Sequence, residues 1–466
     1  GMRDMVGSDV KAIRGRLLSF VSEPAGPGDR SSYSYIDDGI VVVRDGRIEA
    51  AGEASQLLAG LPPGTTVDHH PDGLIVPGFI DTHIHFPQTQ VIASYGTELL
   101  DWLSKYTFPE ESRYHDRAVC DAASRFLLDT LLRNGTTTAA AYCTSHPQSV
   151  ESLFEEAARR NMRITAGKVM MDRNAPETLT DTPERAYEES RALIQRFDGV
   201  GRLSYAITPR FAPTSTEAQL EAAGALAAEN PGMAIQTHLS ENHAEIAFVA
   251  ELFPWARDDL DVYERFGLVR RGALFGHCIH LTERERASMA ERQGSAIFCP
   301  TSNLFLGSGL FDRQGLQAAG VITGIATDIG GGTSYSMLVT AAEGYKVLAL
   351  RGERMTAVEA FYWMSAGNAE AMNLGDRIGR IAEGMEADIV VVDPYATPEM
   401  RHRMQRADSL HDELFALLMM GDDRAIAATY VGGHPAYLRS GKGLPARQDG
   451  ETHSGDPREG AAQAQQ

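Results

Sequence analysis

The chain has 466 residues, 43% hydrophobic and 23% charged, a composition that excludes general disorder and gives enough length for more than one structural unit. Its 43 basic and 63 acidic residues leave a formal net charge of −20, which opposes approach to nucleic acid or to an anionic membrane surface. Cys120, Cys143, Cys278 and Cys299 show no C-x-x-C spacing, so neither a disulfide framework nor a thiolate zinc knuckle is expected, and a reducing cytoplasm fits. No apolar run nears the ~18 residues of a membrane-spanning helix, and the opening residues lack a signal-peptide core.

In chain order, strands are expected over Ala12 to Val21, Gly39 to Val43 and Arg47 to Ala50, the last two joined at Asp45-Gly46, with a Pro/Gly/Ser-rich loop from Ser22 to Ser34. Leu74-Ile75-Val76 and Phe79-Ile80 follow as one buried strand entered through Pro77-Gly78 and ending on His83 and His85. A helix from Tyr114 to Arg133 stops at Asn134-Gly135, and Thr136 to Ala141 is a small buried strand. Helix and strand then alternate: Val150 to Arg160, Arg163 to Met171; Thr182 to Phe197, Leu203 to Thr208; Glu217 to Ala228, Ala234 to Leu239. Strands Ala273 to His277, Ala296 to Cys299 and Thr323 to Asp328 continue the series, with helices at Glu283 to Glu291, Ser336 to Arg351 and Thr356 to Ala366.

Such alternation over about 300 residues predicts a parallel sheet, and eight units favour a closed (β/α)8 barrel. Beyond Gly384 the pattern is strand-like again, at Ala387 to Pro394, Ile426 to Val431 and Ala436 to Leu438. The two strand-rich ends are each too small to stand alone, so they are expected to pair into one small β domain. The expected organisation is therefore 1–76 and 384–445 as the two parts of a β-sandwich, 77–383 as the barrel, and 446–466 as a disordered tail.

Reactive groups of a βα barrel sit where its strands end. His83 and His85 close the first barrel strand, and at i and i+2 they share a face; His238, His277 and Asp328 each close a later one. Imidazoles with a carboxylate suit zinc or ferrous iron with a position left for water. Glu241, three residues after His238, is placed either to shuttle protons beside that water or to cap a following helix. The H-x-E and P-C-x-x-C signature of the small zinc deaminases is absent, Cys299-Pro300 having the order reversed. Lys168 is expected as a packing or salt-bridging residue, His69 and His70 as solvated or packing residues, and Gly330-Gly331-Gly332 as a turn, since no G-x-x-x-x-G-K motif accompanies it.

Pro77 to His85 resembles the opening metal motif of the amidohydrolase superfamily. Phe86-Pro87-Gln88, Trp102 to Pro109, Thr208 to Phe211, Gln236 to Glu241 and Thr327 to Met337 narrow the resemblance to the guanine deaminase family, over about Val10 to Arg439. That resemblance implies one Zn2+ per chain, with Fe2+ the alternative, held by His83, His85, His238 and Asp328. It further implies catalytic roles for Glu241, His277 and Asp328, and a guanine pocket formed by Gln88, Arg210, Phe211, Trp102, Leu103, His85, His238, Glu241 and Asp328. The expected reaction turns guanine and water into xanthine and ammonia, in a cytoplasmic homodimer. Another amino-substituted ring (an aminopurine, pterin, triazine or cytosine) is the alternative substrate, and a catalytically silent scaffold the remote one.

Overall fold

The computed structural model describes residues 9–26 and 28–439; the expected tail lies outside them. Strands β1 (Val10–Phe20), β2 (Tyr33–Arg44), β3 (Arg47–Glu53) and β4 (Thr66–Pro77) precede β5 (Phe79–His85), β6 (Thr136–Tyr142), β7 (Arg163–Gly167), β8 (Val169–Met170), β9 (Leu203–Pro209), β10 (Ala234–Leu239), β11 (Ala273–His277), β12 (Ser295–Phe298) and β13 (Ile322–Ile325). β14 (Ile389–Val392), β15 (Ile426–Val431) and β16 (His434–Leu438) complete the set among the described residues.

β5, β6, β7, β9, β10, β11, β12 and β13 pair in parallel in that order, with β8 appended to β9. The last strand is brought round to the first by hydrogen bonds. Thr82 Oγ1 donates to the Ile325 carbonyl at 3.0 Å, the Asp328 amide to the His83 carbonyl at 2.9 Å, and the His85 amide to the Ile329 carbonyl at 2.8 Å. Asn368 adds a clamp, its Nδ2 donating to the carbonyls of Ile80 and Ile325 at 2.7 and 2.9 Å. The expected eight-stranded parallel barrel is thus present, its helices packing a large continuous core outside it.

The terminal strands form a seven-stranded sheet in the order β16-β15-β14-β4-β1-β2-β3, so β4 lies between the N-terminal β1 and the C-terminal β14. Alternation sorts its faces. Leu74 and Val76 join the core that contains barrel residues such as Phe79, while Ile75 joins Ile13, Val41, Ile389 and Val391 on the other side. This corrects one expectation: Leu74-Ile75-Val76 and Phe79-Ile80 are not one strand, the first run lying in this sheet and the second in the barrel. The chain switches sheets at Gly78, where an added Cβ would stand 2.2 Å from Thr137 Oγ1.

Two further boundaries differ. The strand expected over Arg163 to Met171 breaks at Lys168, and the strand before Asp328 ends at Ile325. In both, backbone leaves the ladder to aim a polar side chain. No helix among the described residues is long and apolar enough to cross a membrane.

Candidate active site

The strand ends of β5, β10, β11 and β13 converge on one buried cluster. His83 and His85 alternate with Thr82 and Ile84 along β5, and His83 is fully buried. His238 comes from β10, where its Nδ1 donates to the Arg210 carbonyl at 2.7 Å. That bond fixes the tautomer and leaves Nε2 as a free lone pair facing the cluster. Its Nε2 lies 3.2 Å from His85 Nε2, and Asp328 Oδ1 lies 3.1 Å from His83 Nε2 and 3.3 Å from His85 Nε2.

A divalent cation fits these four residues. A cation between the His85 and His238 nitrogens would take a lone pair from each, and the edge of a tetrahedron with zinc–nitrogen bonds of ~2.0–2.1 Å is about 3.3 Å, close to their separation. The four ligand atoms all lie within 4.8 Å of one another, and the Nδ1 atoms of His83 and His85 lack a hydrogen-bond partner. Protonation matches as well. Burial lowers the His85 pKa to about 4 and holds His238 well below the usual histidine value, with the neighbouring imidazoles adding to both. Burial alone would raise Asp328, but the charges and hydrogen bonds of His83 and His85 hold it well below the ordinary carboxylate range. A neutral imidazole at His85 and at His238 and an ionised carboxylate at Asp328 are the states in which such groups bind metal.

His277 stands beside the cluster rather than in it. Its Nε2 is 2.8 Å from Glu241 Oε1 and 3.5 Å from Asp328 Oδ2, and Asn303 Nδ2 lies 2.9 Å from its Nδ1. Cys299 also lies near His277 and Asp328, but burial pushes its thiol pKa well up, so it packs as a neutral side chain. Glu241 is buried, and Ser308 Oγ donates to its Oε2 at 3.3 Å. The helix that follows is capped by Asn242 with Glu245 as its box partner, so Glu241 is not the cap. Its side chain is left to the cavity.

Ser240, His277, Cys278 and Asp328 all have φ between 50° and 82°, a left-handed conformation that costs a non-glycine residue on the order of 1 kcal/mol or more. Local hydrogen bonds hold it. Asp259 Oδ2 accepts from the Ser240 amide and hydroxyl at 2.9 and 3.0 Å, and the Cys278 amide donates to the Leu239 carbonyl at 2.9 Å.

The cavity over this cluster holds about 390 Å³ of atom-free space, its mouth included, and every substrate residue expected from the sequence lines it: Gln88, Trp102, Leu103, Arg210 and Phe211, with His85, His238, Glu241 and Asp328. Sequence reasoning missed Leu99, Leu306 and Gly331 in the same wall. It also missed Glu111, behind the wall and fully buried, which accepts from both Arg210 and Gln88. Lys168 is taken up by Asp181, Glu189 and the Ser145 carbonyl, the salt-bridging arrangement expected.

The model of the amidohydrolase family matches residues 74–436. The chain belongs to the amidohydrolase family. As an amidohydrolase it matches from within β4 to within β16, so the match takes in the whole barrel and the C-terminal strands of the other sheet. Among curated relatives, the guanine deaminase of Escherichia coli K12 is 46% identical over 432 residues, 92% of this chain and 98% of that protein. The solved structure of the E. coli guanine deaminase superposes with a TM-score of 0.90 at 47% identity, covering 92% of this chain and all of that one. A guanine deaminase from C. acetobutylicum, solved with guanine bound in the active site, is 27% identical with a TM-score of 0.82 over 92% of this amidohydrolase and all of that chain.

Proposed function

We infer that this protein is a guanine deaminase, hydrolysing guanine to xanthine and ammonia with one divalent ion, zinc, per chain. The observation that carries the reading is the Glu241–His277 pair standing in the wall of the cavity that also holds the four facing ligand atoms and Arg210. The relatives named guanine deaminase support it.

An ion on His83, His85, His238 and Asp328 supplies the Lewis acidity that makes water a nucleophile at neutral pH. Everything else falls to side chains. Glu241 takes a proton from the attacking water and delivers it to the ring nitrogen next to C2 as the oxygen adds to C2. The centre at C2 becomes tetrahedral. The remaining hydroxyl proton then passes through the Asp328 and Glu241 carboxylates to the exocyclic nitrogen. Ammonia leaves, the C2 carbonyl of xanthine forms, and both carboxylates end the cycle ionised. His277 holds Glu241 in place through its Nε2. Arg210 offers donors to O6 or N7, and Gln88 offers one donor and one acceptor. Trp102, Leu103 and Phe211 give a flat apolar lining that excludes water from the ring.

The test is turnover: metal-loaded protein should release xanthine and ammonia in equal amounts from guanine, and should outperform a panel of pterin, triazine and cytosine amines. Absence of xanthine from metal-replete protein overturns the reading. Elemental analysis of the purified protein separates zinc from iron.

A further inference from the structure

Arg210 and Gln88 come from different strand ends, yet both are anchored on one carboxylate. Glu111 is fully buried at the end of the short helix Phe108–Glu111. Arg210 Nη1 donates to its Oε1 at 2.7 Å and Nη2 to its Oε2 at 3.0 Å, a fork-to-fork pair, and Gln88 Nε2 donates to the same Oε2 at 3.0 Å. Phe108, one turn earlier on the same helix, lies 5.3 Å from the Arg210 guanidinium carbon. The carboxylate therefore holds the guanidinium by its edge while the ring covers its face.

Gln88 is fixed just as closely. The Gly330 amide donates to its Oε1 at 2.9 Å. Turning the amide over would set its NH2 against the Gly330 N–H and its oxygen against a carboxylate. What these partners leave free is one N–H and one lone pair of Gln88 and three guanidinium N–H groups of Arg210, and both side chains line the cavity.

We propose that Glu111 is the positioning residue that sets the pocket's preference for a ring carrying an oxo group at C6. It touches no substrate. It neutralises the buried Arg210 charge and aims the free donors of Arg210, and it decides which way round the Gln88 amide faces. The proposal rests on the guanine deaminase reading.

The probe is a pair of substrates with the same C2 amine: guanine, and 2-aminopurine, which has hydrogen in place of the C6 oxygen. Wild-type protein should favour guanine in kcat/KM by at least ~100-fold, since a site built to pair a polar group rejects the analogue lacking it. In Glu111→Gln the metal content should be unchanged and the guanine/2-aminopurine ratio should fall at least ~10-fold, the loss lying in KM for guanine with 2-aminopurine kinetics nearly constant. Glu111→Asp should restore part of the ratio. Adding Glu111→Gln to Arg210→Ala should lower the ratio by less than Glu111→Gln does alone, since only the hold on Gln88 is then left to lose. Equal losses on both substrates, or an unchanged ratio, overturn the proposal. Should Glu111→Gln not fold, Glu111→Asp decides in its place: it keeps the charge, shortens the reach to Arg210 and Gln88, and should lower the same ratio several-fold. A wild-type protein inert on guanine would sink the functional reading instead, before any variant is compared.

Discussion

His277 Nε2 lies 2.8 Å from Glu241 Oε1 and 3.5 Å from Asp328 Oδ2, so one imidazole bridges the proposed proton shuttle and the carboxylate of the ligand cluster. Burial alone would lower the His277 pKa. The charge and hydrogen bond of Glu241, with Asp328 behind, carry it above the usual histidine value. Glu241→Gln keeps the shape and removes the charge. The expected result is full metal content by elemental analysis and a kcat lower by roughly 10²–10⁴-fold. Near-normal turnover would remove Glu241 from the mechanism.

Metal removal should act on both activity and stability. Stripping with a chelator should abolish turnover, and zinc should restore it. With the ion absent, only a single imidazole–imidazole contact at 3.2 Å joins His85 to His238. Thermal unfolding of the stripped protein should occur at lower temperature. Free zinc at 100 times its Kd should return about 2.7 kcal/mol of stability. An unchanged melting temperature on reloading would argue against a site in the folded barrel.

Gly276 precedes His277 on β11, and a Cβ there would stand 2.6 Å from His83 Cε1. Gly276→Ala should push the His83 ring out of place, weakening metal retention by about 10–100-fold, the cost typical of disturbing what supports a ligand. Far-ultraviolet circular dichroism should be unchanged, and competition with a chromogenic chelator measures the loss.

The convergence of the two histidines of β5 is legible because a period of two puts them on one face, and that of His238 and Asp328, the other candidate ligands, because each follows a strand-like run. The barrel was legible from its alternation. Glu111 was not, since its partner Arg210 is 99 residues away and nothing short of the folded contact selects it. Leu99 and Leu306 belong to loops and helical turns whose path no periodicity reports. Leu74-Ile75-Val76 reads as one strand with Phe79-Ile80 for a related reason: a buried run looks the same in either sheet.

A stability prediction concerns Asp259, which holds Ser240 in its left-handed turn. Burial, then the nearby Glu285 charge, raises its pKa to about 7 against the Ser240 hydrogen bonds that lower it. An acid whose folded pKa exceeds its unfolded value of ~3.9 binds more protons when folded, so its contribution to stability falls as pH rises from about 4 to about 7, by up to about 1.4 kcal/mol per pH unit. Asp259→Asn keeps an acceptor for Ser240 and removes the titration. Urea midpoints across that window should fall more steeply with pH for the wild type than for the variant. Parallel lines would show that Asp259 does not titrate there.

β4 hands the chain to the barrel, yet its partner β14 is made more than 300 residues later. At about 5–20 residues per second, a ribosome leaves that edge of β4 waiting roughly 15–60 s for Ile389–Val392. Nascent chains stalled before residue 389 would carry a bare apolar ladder where the chain enters the first barrel strand, at the end away from the catalytic face, the kind of surface that chaperones bind and that clumps when they do not.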